Sequence, residues 1–272
     1  MNFHSDEWIM NGVGKHYEEA KQYFDESRIV GIFYQGSANY GLDYEGSDID
    51  TKLIIVPSLE DIVLNKHPVS TTHVRENDEH IDFKDIRLYM DTFMKQNLNF
   101  LEILFTSYKI INPIYEKFWN KLIEAREDIT HFDIHRSIKS MKGVALEKFH
   151  ALEHRYPSKI EIIDKYGYDS KQLHHLLRVE EYLTRYMSGE SYESCLQPKN
   201  ADLLRKIKED NGFYSLEEAR KIAKESLERI EKLTIEFLAK TPNVINKEVE
   251  ELIRNVQKDI MIEAIKREVS KV

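Results

Sequence analysis

The rhythm of apolar and polar residues changes about halfway along the chain. Up to about residue 130, short apolar runs alternate with helical periods, and beyond it the period is almost wholly helical. Ile29-Val30-Gly31-Ile32-Phe33-Tyr34 is a continuous β-branched and aromatic run, which predicts a buried strand. Leu53-Ile54-Ile55-Val56 predicts a second strand, stopped by Pro57 and Ser58. His80-Ile81-Asp82-Phe83-Lys84-Asp85 alternates, so Ile81 and Phe83 face one side of a third strand and Asp82 the other. Residues 6–26 carry an amphipathic helical pattern. Residues 86–105 return to it, with Ile86, Tyr89, Met90, Phe93 and Met94 on one face as core contacts behind the sheet. Residues 66–79 are polar and aperiodic, and predict an irregular hairpin joining strands two and three. Long helices are predicted over 133–155, 169–188, 199–210, 215–240 and 244–270, punctuated by Pro157, Gly167, Gly189, Pro198, Gly212 and Pro242. Ser215 and Glu218 have the spacing of a capping box. The pattern predicts an α+β fold: a small mixed sheet with helices in residues 1–130, then an all-α domain in residues 131–272.

The stretch from Gly36-Ser37 to Asp48-Ile49-Asp50 carries the candidate chemistry. Gly-Ser follows the first strand, and the second strand is expected to carry the two aspartates near its start. On an extended chain, residues i and i+2 project to the same side, so Asp48 and Asp50 point together while Ile49 is buried. Adjacent carboxylates repel unless a cation lies between them. Mg2+ suits such a pair because it takes oxygen ligands and shares them with substrate phosphates. A glycine allows close approach of backbone to phosphate. Taken singly, Asp-Ile-Asp and Gly-Ser are common in solvated turns, and only their combination after a buried strand is informative.

That combination resembles the nucleotidyltransferase superfamily of the DNA polymerase β type. Its signature is Gly-Ser after the first strand and, about ten residues later, Asp-x-Asp on the second, matched by Gly36-Ser37 and Asp48-Ile49-Asp50. Within it, the chain is most similar to a bacterial and phage group of predicted nucleotidyltransferases. These carry Ser-Asp-x-Asp and then a basic residue, here Ser47-Asp48-Ile49-Asp50-Thr51-Lys52. The resemblance implies a third carboxylate on a later strand, for which Asp82 is the candidate. Asp85 is out of phase with it and reads as a helix cap; a surface strand carboxylate at Asp82 stays open. Asn99-Phe100-Leu101-Glu102 also resembles the group, and Glu102 reads as a structural polar contact with a functional role open. Thr51 departs from the pattern, where a larger apolar residue is usual, and predicts a less buried start to strand two.

A second constellation lies in Tyr168-Asp169-Ser170-Lys171-Gln172-Leu173-His174-His175-Leu176-Leu177-Arg178. Lys171, His175 and Arg178 share a helical face at i, i+4 and i+7, apart from the stripe of Leu173, Leu176 and Leu177. The same group has Lys, His and Arg at this spacing. A basic face beside an acidic metal site would neutralise the charge on a leaving pyrophosphate. The plainer reading pairs Lys171 and Arg178 with Glu180, Glu181 or another helix. His174 lies one step off the face.

Composition narrows the classes. Of 272 residues, 41% are hydrophobic and 32% charged, as in a globular chain. No apolar run approaches the ~20 residues of a membrane span. The N-terminus lacks the pattern of a signal peptide. Cys195, the single cysteine, reads as structural and fits a reducing cytoplasm. A formal charge of −9 argues against sequence-independent binding of long nucleic acid. His73 and His80 lack a partner at zinc spacing, and no phosphate-binding P-loop or dinucleotide fingerprint occurs.

The expected function is transfer of a nucleoside monophosphate from a nucleoside triphosphate to a hydroxyl of RNA, protein or a small molecule, releasing pyrophosphate. The resemblance implies Asp48, Asp50 and Asp82 as catalytic metal ligands for two Mg2+ ions, replaceable by Mn2+. It implies Gly36, Ser37, Ser47, Lys171, His175 and Arg178 as nucleotide contacts. No membrane partner is expected, and the long charged C-terminal helices are compatible with a homodimer. The alternatives are a nucleotide-binding module without turnover, such as a toxin–antitoxin component, and a phosphohydrolase.

Overall fold

The computed structural model describes residues 2–270. Helix α1 (Asp6–Ala20) leads into strand β1 (Ile29–Tyr34), all six residues of which are buried. Strand β2 (Thr51–Ile55) runs antiparallel to β1, and β4 (His80–Asp85) runs parallel to β2. Strands β3 (Ser70–Val74) and β5 (Lys109–Ile111) close the two edges, giving the order β3-β4-β2-β1-β5. The sheet is therefore small and mixed, as the sequence predicts.

Each sheet face has its own cover. Ile32, Tyr34, Leu53, Ile55, Ile81 and Phe83 pack with Ile9, Val13, Tyr17 and Ala20 of α1. Val30, Phe33 and Ile54 pack on α3 (Ile86–Met94) and on α5 (Glu116–Glu124), which presents Trp119. That second core continues into the helical half without a break. It includes residues of α7 (Ile134–Ala151), α9 (Ser170–Met187), α11 (Ala201–Glu209), α12 (Leu216–Lys240) and α13 (Lys247–Val269). Helix α13 returns to pack on α3, α5 and α6 (Arg126–His131).

Local signals explain most helix ends. Ser215 and Glu218 form the expected capping box on α12. Asp85 caps α3 by accepting from Arg87 N–H at 2.9 Å, and its carboxylate also holds the Arg87 guanidinium. Its side chain is thus spent away from Asp82.

Four sequence expectations need correction. The first helix stops at Ala20 rather than residue 26; a turn and a 3-10 segment, Glu26–Arg28, reverse the chain into β1. The helix expected over 86–105 breaks after Met94. Gln96 adopts φ 53°, its side-chain amide bonds Phe93 O and Ile129 O, and Asn97 caps α4 (Leu98–Leu101). The aperiodic 66–79 segment contains a full edge strand, β3. Its residues are exposed on both faces apart from a half-buried His73, so no alternation marks it. Thr51 is buried, at 2% exposure, because the His16 ring satisfies its hydroxyl at 2.9 Å. Helices α2 (Leu59–Val63), α5, α6, α8 (Ile160–Tyr166) and α10 (Tyr192–Leu196), and the edge strand β5, were not expected.

One packing contact ties α1 directly to the aspartate pair. A Cβ built on Gly12 would lie 2.7 Å from Ile49 Cγ1. Ile49 sits between Asp48 and Asp50 and is 1% exposed. Gly12→Val is expected to cost about 1–3 kcal/mol by overpacking. Urea titration checks it, and an unchanged midpoint would mean that Ile49 is free to move.

Candidate active site between sheet and helices

The segment from Gly36 to Asp50 is built around buried side chains. Gly36 has extended backbone, φ −179° and ψ 178°. A Cβ there would collide with the Tyr34 ring and hydroxyl, so the missing side chain is a packing requirement. Ser37–Tyr40 form one 3-10 turn, closed by Gly41 in the left-handed region at φ 65°. A second turn follows, in which Tyr44 N–H donates to Ser47 Oγ at 3.0 Å. Gln35 N–H then donates to Asp50 O at 2.8 Å, extending the β1–β2 pairing by one rung. Asp48 and Asp50 fall in this extended approach to β2, with Asp48 exposed, Ile49 buried and Asp50 half-buried. The aspartates thus lie just before β2 rather than on its start, and the alternation still buries Ile49 between them.

A cavity of about 410 Å3 opens above this segment. Gly36, Ser37, Asp48, Asp50 and Asp82 line its sheet side. Lys171, His175 and Arg178 of α9 line its helix side, joined by Lys148 of α7 and Lys208 of α11. The structure thus brings together the carboxylates and the basic helix face. Ser47 is not among the lining residues; its Oγ lies within hydrogen-bond distance, 3.3 Å, of the Oγ of Ser37, which is. Lys148, Lys208 and Glu102 are lining residues that the sequence reading did not assign to the site.

The carboxylates differ in their surroundings. Burial, and then the charge of Asp48, hold the Asp50 carboxyl above the usual range, against the pull of His80. His80 donates to the same Asp50 Oδ1 from its backbone N–H at 2.9 Å and from Nδ1 at 3.0 Å. Asp82 pairs in register with Lys52 on β2 and Thr72 on β3. Thr72 donates to Asp82 Oδ1 at 2.5 Å, and Lys52 Nζ lies 3.4 Å from Oδ2. Lys52 is 3% exposed, rests over the Phe100 ring, and has its pKa lowered by burial.

The floor joins the two halves. Glu102 is buried at 3% exposure, and burial raises its pKa against the pull of Arg178, Tyr40 and Lys52. The Tyr40 hydroxyl donates to Glu102 Oε2, and the Arg178 guanidinium lies 4.0 Å from the Tyr40 ring centroid.

On α9 the histidines depart from a purely basic face. Burial, followed by the charges around it, holds His175 well below 6.5, so it is neutral at pH 7. It offers hydrogen bonds, and the positive charge comes from Lys171, Arg178, Lys148 and Lys208. His174 is buried and pushed down to about 3; its ring donates from Nδ1 to Leu204 O at 2.8 Å, fastening α11 to α9. Glu180 is engaged by Arg229 and Glu181 by Arg185, outside the cavity.

Asp48, Asp50 and Asp82 form a hard oxygen donor set of the kind Mg2+ takes. Burial first, and then the charge of Asp48, raise the Asp50 carboxyl, and a cation beside the pair would offset both. Among the described residues, no group of three His, Cys, Asp or Glu side chains is gathered closely enough to hold a metal as it stands. No helix among them is long and apolar enough to cross a membrane.

No protein-family model matches the chain, and no curated protein matches it.

Proposed function

We propose that the protein is a Mg2+-dependent nucleotidyltransferase, transferring a nucleoside monophosphate from a nucleoside triphosphate to an acceptor hydroxyl. The observation that carries this reading is the shared cavity. Asp48 and Lys171, from stretches about 120 residues apart, line the same 410 Å3 space. Its size is that of a small-molecule site. Opposed acidic and basic walls suit a metal-bound polyphosphate.

In this reading Asp48, Asp50 and Asp82 hold Mg2+. The ion would neutralise charge on the attacking and leaving oxygens of an in-line displacement. Lys171 and Arg178 neutralise the departing pyrophosphate. The acceptor oxygen bonds to the α-phosphorus as the bond to the pyrophosphate oxygen breaks. The acceptor's proton passes to a carboxylate, for which Asp82 is the candidate. Gly36, Ser37 and neutral His175 position the phosphates.

The test offers each α-labelled nucleoside triphosphate, with Mg2+ or Mn2+, to the protein in a cell extract later split into RNA, protein and small molecules. Label entering one fraction supports the reading and names the acceptor class. Label released only as free nucleotide means phosphohydrolysis. A second reading, nucleotide binding without turnover, draws on the donors already bonded to Asp50 and Asp82. It requires saturable nucleotide binding with no transfer in any fraction.

A further inference from the structure

Three side chains of the helical half bond to Asn39, Gly41 and Leu42, in the segment between Ser37 and Asp48. Gln197 Nε2 donates to Asn39 O at 2.7 Å. Arg205 donates to Gly41 O from Nε at 3.1 Å and from Nη2 at 2.9 Å. Lys208 Nζ donates to Leu42 O at 3.3 Å. All of these bonds end on main-chain carbonyls, so they hold the path of the segment whatever its side chains.

Lys208 differs from the other two because it also lines the cavity. Its ammonium lies 4.7 Å from the centroid of the Tyr44 ring. Leu42 O engages one of its three donors. Among the described residues no carboxylate lies within ion-pair distance of it. Burial, and then the charge of Lys171, push its pKa down to about 8; Arg178 acts in the same direction, while Asp48 and Asp43 oppose it. A partly desolvated cation crowded by other cations is stabilised most by an anion that enters among them.

We propose that Lys208 contacts the phosphate tail of a nucleoside triphosphate in this cavity, sharing its ammonium between that tail and the Leu42 carbonyl. The inference rests on the triphosphate reading of the site and adds a second helix, α11, to α9 among the elements that recognise the ligand. The same side chain that receives the phosphates grips the segment leading to Asp48. Occupancy of the cavity and placement of the aspartate pair are therefore linked through one ammonium group.

The test is calorimetric binding of a nucleoside triphosphate, inorganic pyrophosphate and the uncharged nucleoside to the full chain. Lys208→Gln removes the charge and keeps an N–H donor for Leu42 O; Lys208→Met serves if that variant fails to fold. Loss of this contact is expected to weaken triphosphate and pyrophosphate binding about 10- to 100-fold. Nucleoside binding should be unchanged. Lys208→Arg should retain most of the affinity. Arg205→Met loosens the grip on Gly41 without removing a lining cation, and should leave pyrophosphate binding intact. Undiminished pyrophosphate binding by Lys208→Gln would overturn the proposal while the triphosphate reading stands. Equal losses from Arg205→Met and Lys208→Gln would overturn it too, since Lys208 would then act only by holding the segment. A wild-type protein that binds neither triphosphate nor pyrophosphate would overturn both.

Discussion

Asp50→Asn is expected to lower nucleotidyl transfer by about a thousandfold or more, equivalent to roughly 4 kcal/mol of transition-state stabilisation, while the fold stays intact. The amide has nearly the shape of the carboxylate, and its oxygen can still accept from the His80 backbone N–H. Only the charge is lost. In the folded protein that charge is held at a cost, because burial and the nearby Asp48 raise the Asp50 carboxyl. Removing it should leave stability at pH 7 unchanged or raise it by up to about 1 kcal/mol. Loss of activity without loss of stability separates a metal-binding carboxylate from a structural one. The pair of measurements is label transfer and thermal unfolding. Transfer that survives in Asp50→Asn would remove the aspartate from the chemistry. A large drop in melting temperature would instead make His80–Asp50 a structural clasp.

The candidate site was more legible in the sequence than the fold around it, for physical reasons. Asp48-Ile49-Asp50 has one strong preference, burial of Ile49, and the period of an extended chain then places both carboxylates together. Ile81 and Phe83 decide the facing of Asp82 in the same way, and both are buried. Strand β3 was illegible because an exposed edge strand has no buried side to write an alternation. The break at Gln96 carries no glycine or proline. It is held by side-chain bonds to Phe93 O and to Ile129 O, the latter 33 residues away. Lys148 and Lys208 reach the cavity from α7 and α11, and nothing local distinguishes them from the other lysines of charged helices. Only the packing of both helices against α9 turns them toward a common space. His175 shows the limit from the other side. Its spacing was readable, but its neutrality comes first from burial, which the spacing along one helix does not set.

Arg178→Met is the second substitution with a large expected effect, and it acts on both stability and binding. Arg178 lies over Tyr40, whose hydroxyl is bonded to Glu102, and its charge is the largest influence holding the Glu102 carboxyl down against burial. Removing one member of a buried charged set leaves the rest uncompensated, at about 3–5 kcal/mol for a direct pair. Here Lys52 and the Tyr40 hydroxyl remain near Glu102, so roughly 2 kcal/mol is expected at pH 8. The dependence on pH isolates the cause. Glu102 already has a raised folded-state pKa, so over the window above 4.5 the folded protein holds a proton that the unfolded chain has lost. Stability therefore falls as pH rises through that window. Without Arg178 the carboxyl rises further and the decline extends to higher pH. The deficit of Arg178→Met relative to wild type should then be small near pH 4, where both states are protonated, and full near pH 8. Adding Glu102→Gln should abolish that pH dependence and recover part of the stability at pH 8, a coupling of about 0.5–3 kcal/mol. It should not recover pyrophosphate binding, because the cation facing the cavity is still missing. Urea titrations of the two single variants and the double variant at both pH values measure the cycle. An equal deficit at pH 4 and pH 8 would mean that Arg178 supports the fold by packing on Tyr40 and not by balancing Glu102.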